Sequence, residues 1–596
     1  MTNRILFYVH FNHKNELADH VYYQLEKIRP IFDQIFFISN SVLSGEDLQR
    51  LQSAGLINEF LQRENAGYDF KAWSDGMNQV GFDELTKYDS VTLMNDTCFG
   101  PIFDFESTFN RMTSDDSFDF WGITNNRSQE VAPPWAPNTR VKMPDHIQSY
   151  FVSYKQKVVQ SDSFRQFWAD VEILDDVVRV IIRYETAMTQ YFKDAGFRPE
   201  VLFDTRTEPW DGMLIHDFSV FALPELVKRR IPFLKIKAFS YGAESIYTPL
   251  VMETIRRESD YPTQFITDHM TFVDYPDREY MLTDKTFEVK ELPVLAGKNQ
   301  TSRVAIHLHV FYVDLLKEFI QNFDTYVVDY ALFITTDTEE KKTEILSILT
   351  ENGQVKPNLK EITVTGNLGR DVRPWQIIHE KLNDYDIVGH FHTKKSALNA
   401  WIVGESWRED IIDSLVRPAQ NVFRIFEENP KIGLVIPDVP SFFNFHRGPN
   451  FFSENQLWPK MVELWEKIDF PEQKSLTQRM NYVMAFGTML WYRPKALNEI
   501  LNVDISKEIP EEPLPFDSVL HAFERLLVYV AWGSGFDYRI LQINPPTGFT
   551  VNSSANRMTF EAKGDLNLLS TKEIIRLLLR KIKRKAKKIL GMKISQ

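Results

Sequence analysis

The sequence predicts an α/β protein of two tandem Rossmann-like domains with mostly parallel sheets, followed by a basic amphipathic C-terminal helix. Three observations carry this: short apolar runs alternate with helical stretches, a set of motifs occurs twice in the same order, and the chain ends in a basic segment. The runs Ile5 to Val9, Gln34 to Ile38 and Ser90 to Met94 have strand length, and Asp19 to Ile28 has helical spacing.

The repeat is recognised at four places. A strand ending in histidine opens each half, Ile5 to His10 and Val304 to His309. Asn65, Gly67, Asp69 and Trp73 recur as Asn367, Gly369, Asp371 and Trp375, at a constant offset of 302. Tyr88-Asp89, a strand and Asn95-Asp96-Thr97 parallel Tyr385-Asp386, a strand and His392-Thr393-Lys394-Lys395. Glu185 stands eleven residues before Gly196-Phe197 and Glu524 eleven before Gly535-Phe536, an offset of 339. One such match would be chance, whereas four in register predict related domains over 1–290 and 303–560. The polar segment from Asp284 to Ser302 is the expected joint, and 570–596 the tail helix.

Length and composition bound the function. A chain of 596 residues is too long for one small binding module, and 43% hydrophobic with 13% aromatic residues suffices for full cores. A formal charge of -14 argues against a nucleic-acid-coating protein. From Thr571 onward ten Lys and Arg face one Glu, so the tail carries +9 on a body of -23. With Cys98 alone there is no internal disulfide and no Cys-built metal site, which fits a reducing, cytoplasmic setting. The first apolar run is broken by His10 and Asn12, too early for a signal-peptide core, and no run of 18 apolar residues spans a bilayer.

The turn Asn65-Ala66-Gly67-Tyr68-Asp69 stands between a strand and a helix. Its glycine allows close backbone approach, and the helix start favours an anion such as a diphosphate; the plainer reading is a glycine turn with Asp69 as cap. Asn95-Asp96-Thr97 follows a strand directly, at the carboxyl edge where open α/β sheets bind ligands. A carboxylate there suits Mg²⁺ or Mn²⁺, and equally an Asx turn. Glu185 falls on the apolar stripe of Val178, Ile181, Ile182, Met188, Phe192 and Ala195, a candidate general base or a structural ion pair. Glu524 shares a stripe with Leu520, Phe523, Leu527 and Val530. His392, Lys394 and Lys395 take the strand-end place of Asn95-Asp96, where lysines hold a diphosphate without metal or form a solvated loop. The tail opens on a capping box, Ser570 to Glu573, and interleaves Ile574, Ile575, Leu578, Leu579 and Ile582 with basic residues, the pattern of a membrane-surface anchor.

The segments RILFYVHFN, RENAGYDFKAWSDG, YDSVTLMNDTCFGPI, GHFHTKKS, GTMLWYRPKAL and DSVLHAFERL resemble the rhamnan synthesis protein F (RgpF) family of polysaccharide pathways. The first half is also similar to the GT-A fold of family-2 glycosyltransferases. That resemblance implies a rhamnosyltransferase moving L-rhamnose from dTDP-β-L-rhamnose to a lipid-linked rhamnan at the inner membrane face. It further implies Gly67 and Asp69 near the nucleotide together with Asn65 and Asn95, and His10 and Asn12 beside the pyrimidine. Asp96 would bind metal and diphosphate, and Glu185 would be the base. Gly369, Asp371, His392, Lys394, Lys395 and Glu524 are the matching positions of the second half, which lacks the metal-site aspartate.

Overall fold

Seven strands form the main path of the first, eight-stranded sheet: β1 (Arg4–His10), β2 (Gln34–Ser39), β3 (Glu59–Gln62), β4 (Ser90–Asn95), β5 (Phe120–Asn126), β6 (Phe151–Lys155) and β7 (Pro199–Phe203), with the short strand His146–Ile147 paired to β5 off that path. β1 and β4 are buried along their whole length, which is why they read as continuous apolar runs rather than alternating ones. The computed structural model describes residues 3–133, 135–206, 217–240, 247–292, 301–327, 329–395, 401–440, 451–472, 474–478 and 482–543, and in the tail 571, 574–576, 578, 579 and 582.

The strand order is β7-β5-β6-β4-β1-β2-β3, parallel throughout except β6, which runs antiparallel to both neighbours. The second sheet holds β8 (Thr286–Glu288), β9 (Val304–His309), β10 (Ala331–Thr336), β11 (Leu359–Val364), β12 (Ile387–His392), β13 (Ile432–Pro437), β14 (Leu490–Tyr492) and β15 (Asp537–Gln542). Its order is β8-β15-β13-β14-β12-β9-β10-β11, and β14 is its antiparallel member. Setting the edge strand β8 aside, both sheets place their strands as third, second, first, fourth, sixth, fifth and seventh, with the sixth reversed. Two tandem Rossmann-like domains of mostly parallel sheet are therefore the architecture, as the motif repeat predicts.

The chain divides into compact units at Met1–Asp274 and Tyr275–Gln596, ahead of the polar stretch expected as the joint. The reason is local. β8 pairs in parallel with β15, and the ammonium of Lys285, fully buried, bonds Asp537 Oδ1 at 2.9 Å. Residues 275–290 are thus tied into the second unit.

Helices α1 (Asp19–Ile28), α2 (Tyr68–Val80) and α3 (Thr186–Asp194) belong to the first unit, α4 (Val372–Leu382) and α5 (Val519–Gly533) to the second. The repeated tryptophans are core residues: Trp73 meets Trp168 edge-on at 6.3 Å, and Trp375 stacks on His390 at 4.0 Å. Trp121 and Trp168 are fully buried and not available to a sugar, while Trp135 is exposed beneath the Arg179 guanidinium.

The stripe expected around Glu185 is corrected by a π turn over Ile181–Glu185, which adds a residue ahead of α3. Val180, Tyr184, Met188 and Phe192 are the buried set, whereas Val178, Ile181 and Ile182 are half-buried and Ala195 is exposed past the helix end. On α5 the predicted stripe holds, with Leu520, Phe523, Leu527 and Val530 all buried.

In the tail, Ser570 and Glu573 of the capping box and most of the basic residues lie outside the described residues. The described ones are helical, and Ile574, Ile575, Leu578, Leu579 and Ile582 are 37 to 59% exposed. Among the described residues no helix is long and apolar enough to cross a membrane.

Candidate functional site

The carboxyl ends of β1 and β4 carry the first unit's site. Val9 pairs with Asn95, so His10 and Asp96 emerge side by side, His10 Nε2 lying 3.9 Å from Asp96 Oδ2. The Phe11 amide donates to Asp96 Oδ2 at 3.0 Å, and the Asn95 carboxamide donates to Asp69 Oδ2 at 2.7 Å while accepting from Thr97 as an Asx turn. Asp69 is therefore aimed at the strand end and does not cap its helix; Gly67 holds the cap position at φ 76°, followed by Tyr68 at φ 54°. A β-carbon on Gly67 would stand 2.6 Å from that of Lys71, so only glycine closes this turn. Asn65 accepts from Asn40, and Asn12 accepts from the Lys14 amide, so both shape loops around the site.

Glu185 reaches the same place from the π turn. Its Oε1 accepts from the Ser149 amide at 3.0 Å, and its charge helps to raise Asp69. Among the described residues it has no ion-pair partner, so the structural-pair reading does not apply. Burial raises Asp69 to about 6 and Asp96 to about 8, each rise reinforced by the neighbouring carboxylate, Glu185 on Asp69 and Asp69 on Asp96. Burial also lowers His10 to about 4, leaving it neutral at pH 7.

Asp96 thus carries a testable signature. Its folded value of about 8 lies above the unfolded value, roughly 3.9, so its contribution to stability is intact below about pH 4 and is lost as pH rises through 8. Without ligand, Asp96→Asn is expected to gain stability over the native chain as pH rises from 4 to 8, by at most about 1.4 kcal/mol per pH unit. Urea unfolding of both proteins at the two pH values checks this; a pH-independent difference would contradict it.

The second unit repeats the frame with different chemistry. Gly369 and Arg370 take the same left-handed pair, φ 78° and 52°, and a β-carbon on Gly369 would stand 2.6 Å from that of Arg373. His309 Nδ1 lies 3.0 Å from Thr335 Oγ1 as His10 Nδ1 lies 3.2 Å from Ser39 Oγ. His309 pairs with His392, so His392 stands where Asp96 stands. Glu524 accepts from the Gly487 amide at 2.5 Å and also pairs with Arg525 at 2.9 Å.

Two H-x-H strand ends, His307 to His309 and His390 to His392, place four rings on one side of adjacent strands. His307 Nδ1 meets His390 Nδ1 at 2.9 Å, and His390 Nε2 lies 3.7 Å from Asp371. Burial alone would raise Asp371, but His392, His390 and the Thr488 hydroxyl hold it well below the carboxylate range. Of this ladder only His392 is among the expected site residues, although the doubled H-x-H pattern is a signal that could have found the rest. Lys395 pairs with Asp314 at the surface, away from Glu524, while Lys394 is in the electrostatic field of Glu524 and Asp371.

The family model for rhamnan synthesis protein F matches residues 35–536. The chain belongs to that family. An uncharacterized protein, y4gN, of Sinorhizobium fredii is 27% identical over 181 residues, 30% of this chain and 44% of its own length. Virulence protein VirA of Vibrio anguillarum is 30% identical over 147 residues, 24% of this chain and 41% of its own length. The chain thus spans about two fifths of the length of these curated relatives. Among solved structures, the glycosyltransferase GlyE of Streptococcus pneumoniae covers 74% of this chain and 93% of its own at 9% identity and a TM-score of 0.21. The inositol-1-phosphate CTP transferase of T. maritima covers 34% of this chain and 85% of its own at 11% identity and a TM-score of 0.21. Neither score bears on chemistry. Family membership and the tandem Rossmann-like architecture are what the comparison and the topology establish.

Proposed function

We propose that the first unit transfers L-rhamnose from dTDP-β-L-rhamnose to a lipid-linked rhamnan acceptor, inverting to an α-linkage, while the second unit positions the acceptor. The observation that carries this is the convergence of Asp69, Asp96 and Glu185 at one sheet edge, with two of the three acids raised by burial. Glu185 takes the proton from the acceptor hydroxyl, the oxygen bonds to the anomeric carbon, and the bond to the diphosphate breaks, releasing dTDP.

Buried carboxyl oxygens whose pKa burial has raised suit a hard divalent cation, which displaces the proton that burial holds in place. Among the described residues no three His, Cys, Asp or Glu side chains are grouped as metal ligands. Asp96, with Asp69 beside it, would therefore share Mg²⁺ or Mn²⁺ with substrate phosphates and water. A cation bound there would neutralise charge on the leaving diphosphate. His10 and Asn12 border the nucleotide end of the same edge.

A second reading has support of its own: Glu524 repeats Glu185 in position and in its amide contact, so each half could form a linkage. Rhamnose transfer to a synthetic lipid-linked acceptor, with and without EDTA, separates the two. Asp96→Asn is expected to abolish transfer, Glu185→Gln to lower it by about 10²- to 10⁴-fold, and Glu524→Gln to retain it. A dead Glu524→Gln beside an active Glu185→Gln would move catalysis to the second unit; no turnover of any nucleotide sugar would end the enzyme reading.

The exposed apolar residues of the tail, next to its basic ones, support attachment to the anionic cytoplasmic face of the membrane. Deleting 571–596 is expected to shift the protein from membrane pellet to supernatant. Unchanged sedimentation would exclude the anchor.

A further inference from the structure

The two units differ most in what neutralises their site. In the first, Asp69 and Asp96 face each other with no lysine or arginine ion-paired to either among the described residues. In the second, His392 replaces Asp96, and His390 lies behind Asp371, fully buried between the Trp375 ring and the His307 imidazole. The remaining carboxylate is compensated from within the protein, so nothing at this edge calls for a metal.

One cation at the edge has no direct ion pair among the described residues, although Glu524 and Asp371 act on it electrostatically. The Lys394 ammonium has neither a hydrogen-bond acceptor nor an ion pair among the described residues; it rests 3.4 Å above the Trp407 ring. It is half-buried, and a β-carbon on Gly487 would stand 3.6 Å from it, in ordinary contact. Its neighbours Lys395 and Arg370 are both engaged, with Asp314 and Glu512 respectively. An ammonium ordered on an aromatic face, with its N–H groups unspent and no metal site nearby, is a contact point for a phosphate oxygen.

We propose that the second unit binds a diphosphate ester without metal, with Lys394 as the anion contact and His392 in the place of a metal-binding aspartate. This rests on the reading that the second unit positions the acceptor, and it names the acceptor's diphosphate as the group held. The same chemistry is offered by a nucleoside diphosphate and by a prenyl diphosphate.

The test is binding to the full chain in excess EDTA, by calorimetry, with inorganic pyrophosphate, dTDP and farnesyl diphosphate as separate probes. Binding that survives EDTA, weakens tenfold or more in Lys394→Gln and is largely restored in Lys394→Arg is the expected result. Preference for farnesyl diphosphate over dTDP assigns the site to the lipid acceptor, and the reverse assigns it to a nucleotide and overturns the acceptor assignment. Lys394→Gln binding all probes as the native chain does, or no probe binding in EDTA, overturns the proposal. Circular dichroism matching the native chain excludes misfolding of the glutamine variant. If rhamnose transfer fails in every assay while Lys394-dependent binding persists, the transfer reading falls and this site stands. If transfer proceeds with no Lys394-dependent binding, the transfer reading stands and this site falls.

Discussion

Glu185→Gln is expected to lower kcat for sugar transfer by about 10²- to 10⁴-fold while changing KM for the nucleotide sugar little, the signature of a lost general base. The substitution is conservative in the relevant sense. Glutamine keeps an oxygen for the Ser149 amide, 3.0 Å away, so the π turn and the loop ahead of β6 retain their contact. What disappears is the proton acceptor, which an amide cannot replace. Glu524→Gln serves as the internal control, because that carboxylate meets the same kind of amide but is already paired with Arg525. A loss below about tenfold in Glu185→Gln would remove Glu185 from the chemistry.

Much of the frame behind that prediction is legible in the sequence because it is local. The Gly67 and Gly369 turns need left-handed backbone within a few residues of a strand end, so their motif survives at a constant offset of 302. The rest is non-local or breaks a periodicity. The π turn at Ile181–Glu185 adds a residue that a helix of 3.6 per turn has no place for, so helical spacing draws the stripe through Ile181 instead of Val180 and Tyr184. The histidine ladder joins residues 83 apart, and its meaning emerges only when His307 is set beside His390. The polar stretch from Asp284 to Ser302 and the division of the chain at Asp274 differ for a similar reason. The sequence assigns residues 275–290 to the first domain, but their partner is β15, some 250 residues later.

That same contact sets the largest expected effect on stability. Lys285→Met should cost the second unit about 3 kcal/mol or more, because it leaves Asp537 buried with one cation in place of two. In the native chain the ammonium bonds Asp537 Oδ1 at 2.9 Å and the Pro276 carbonyl at 3.0 Å, and lies 4.4 Å from the centre of the Tyr538 ring. Arg539 holds the other carboxylate oxygen and keeps the loss from being larger. Burial alone would raise Asp537, but Lys285 and Arg539 outweigh it and leave the carboxylate below its ordinary value. A depressed acid stabilises above its unfolded value, about 3.9, and that stability is lost as pH falls through the folded value. The gap between native chain and Lys285→Met should therefore be full at pH 7 and close below about pH 4. Because two units unfold in one chain, the readout is hydrogen exchange in β15 and α5 rather than a single midpoint. Faster exchange confined to 275–290 and 519–542, with β1 to β7 unchanged, is the expected pattern. Equal protection in both proteins at pH 7 would mean that the segment is held by the β8–β15 pairing alone and that the buried ion pair contributes nothing net.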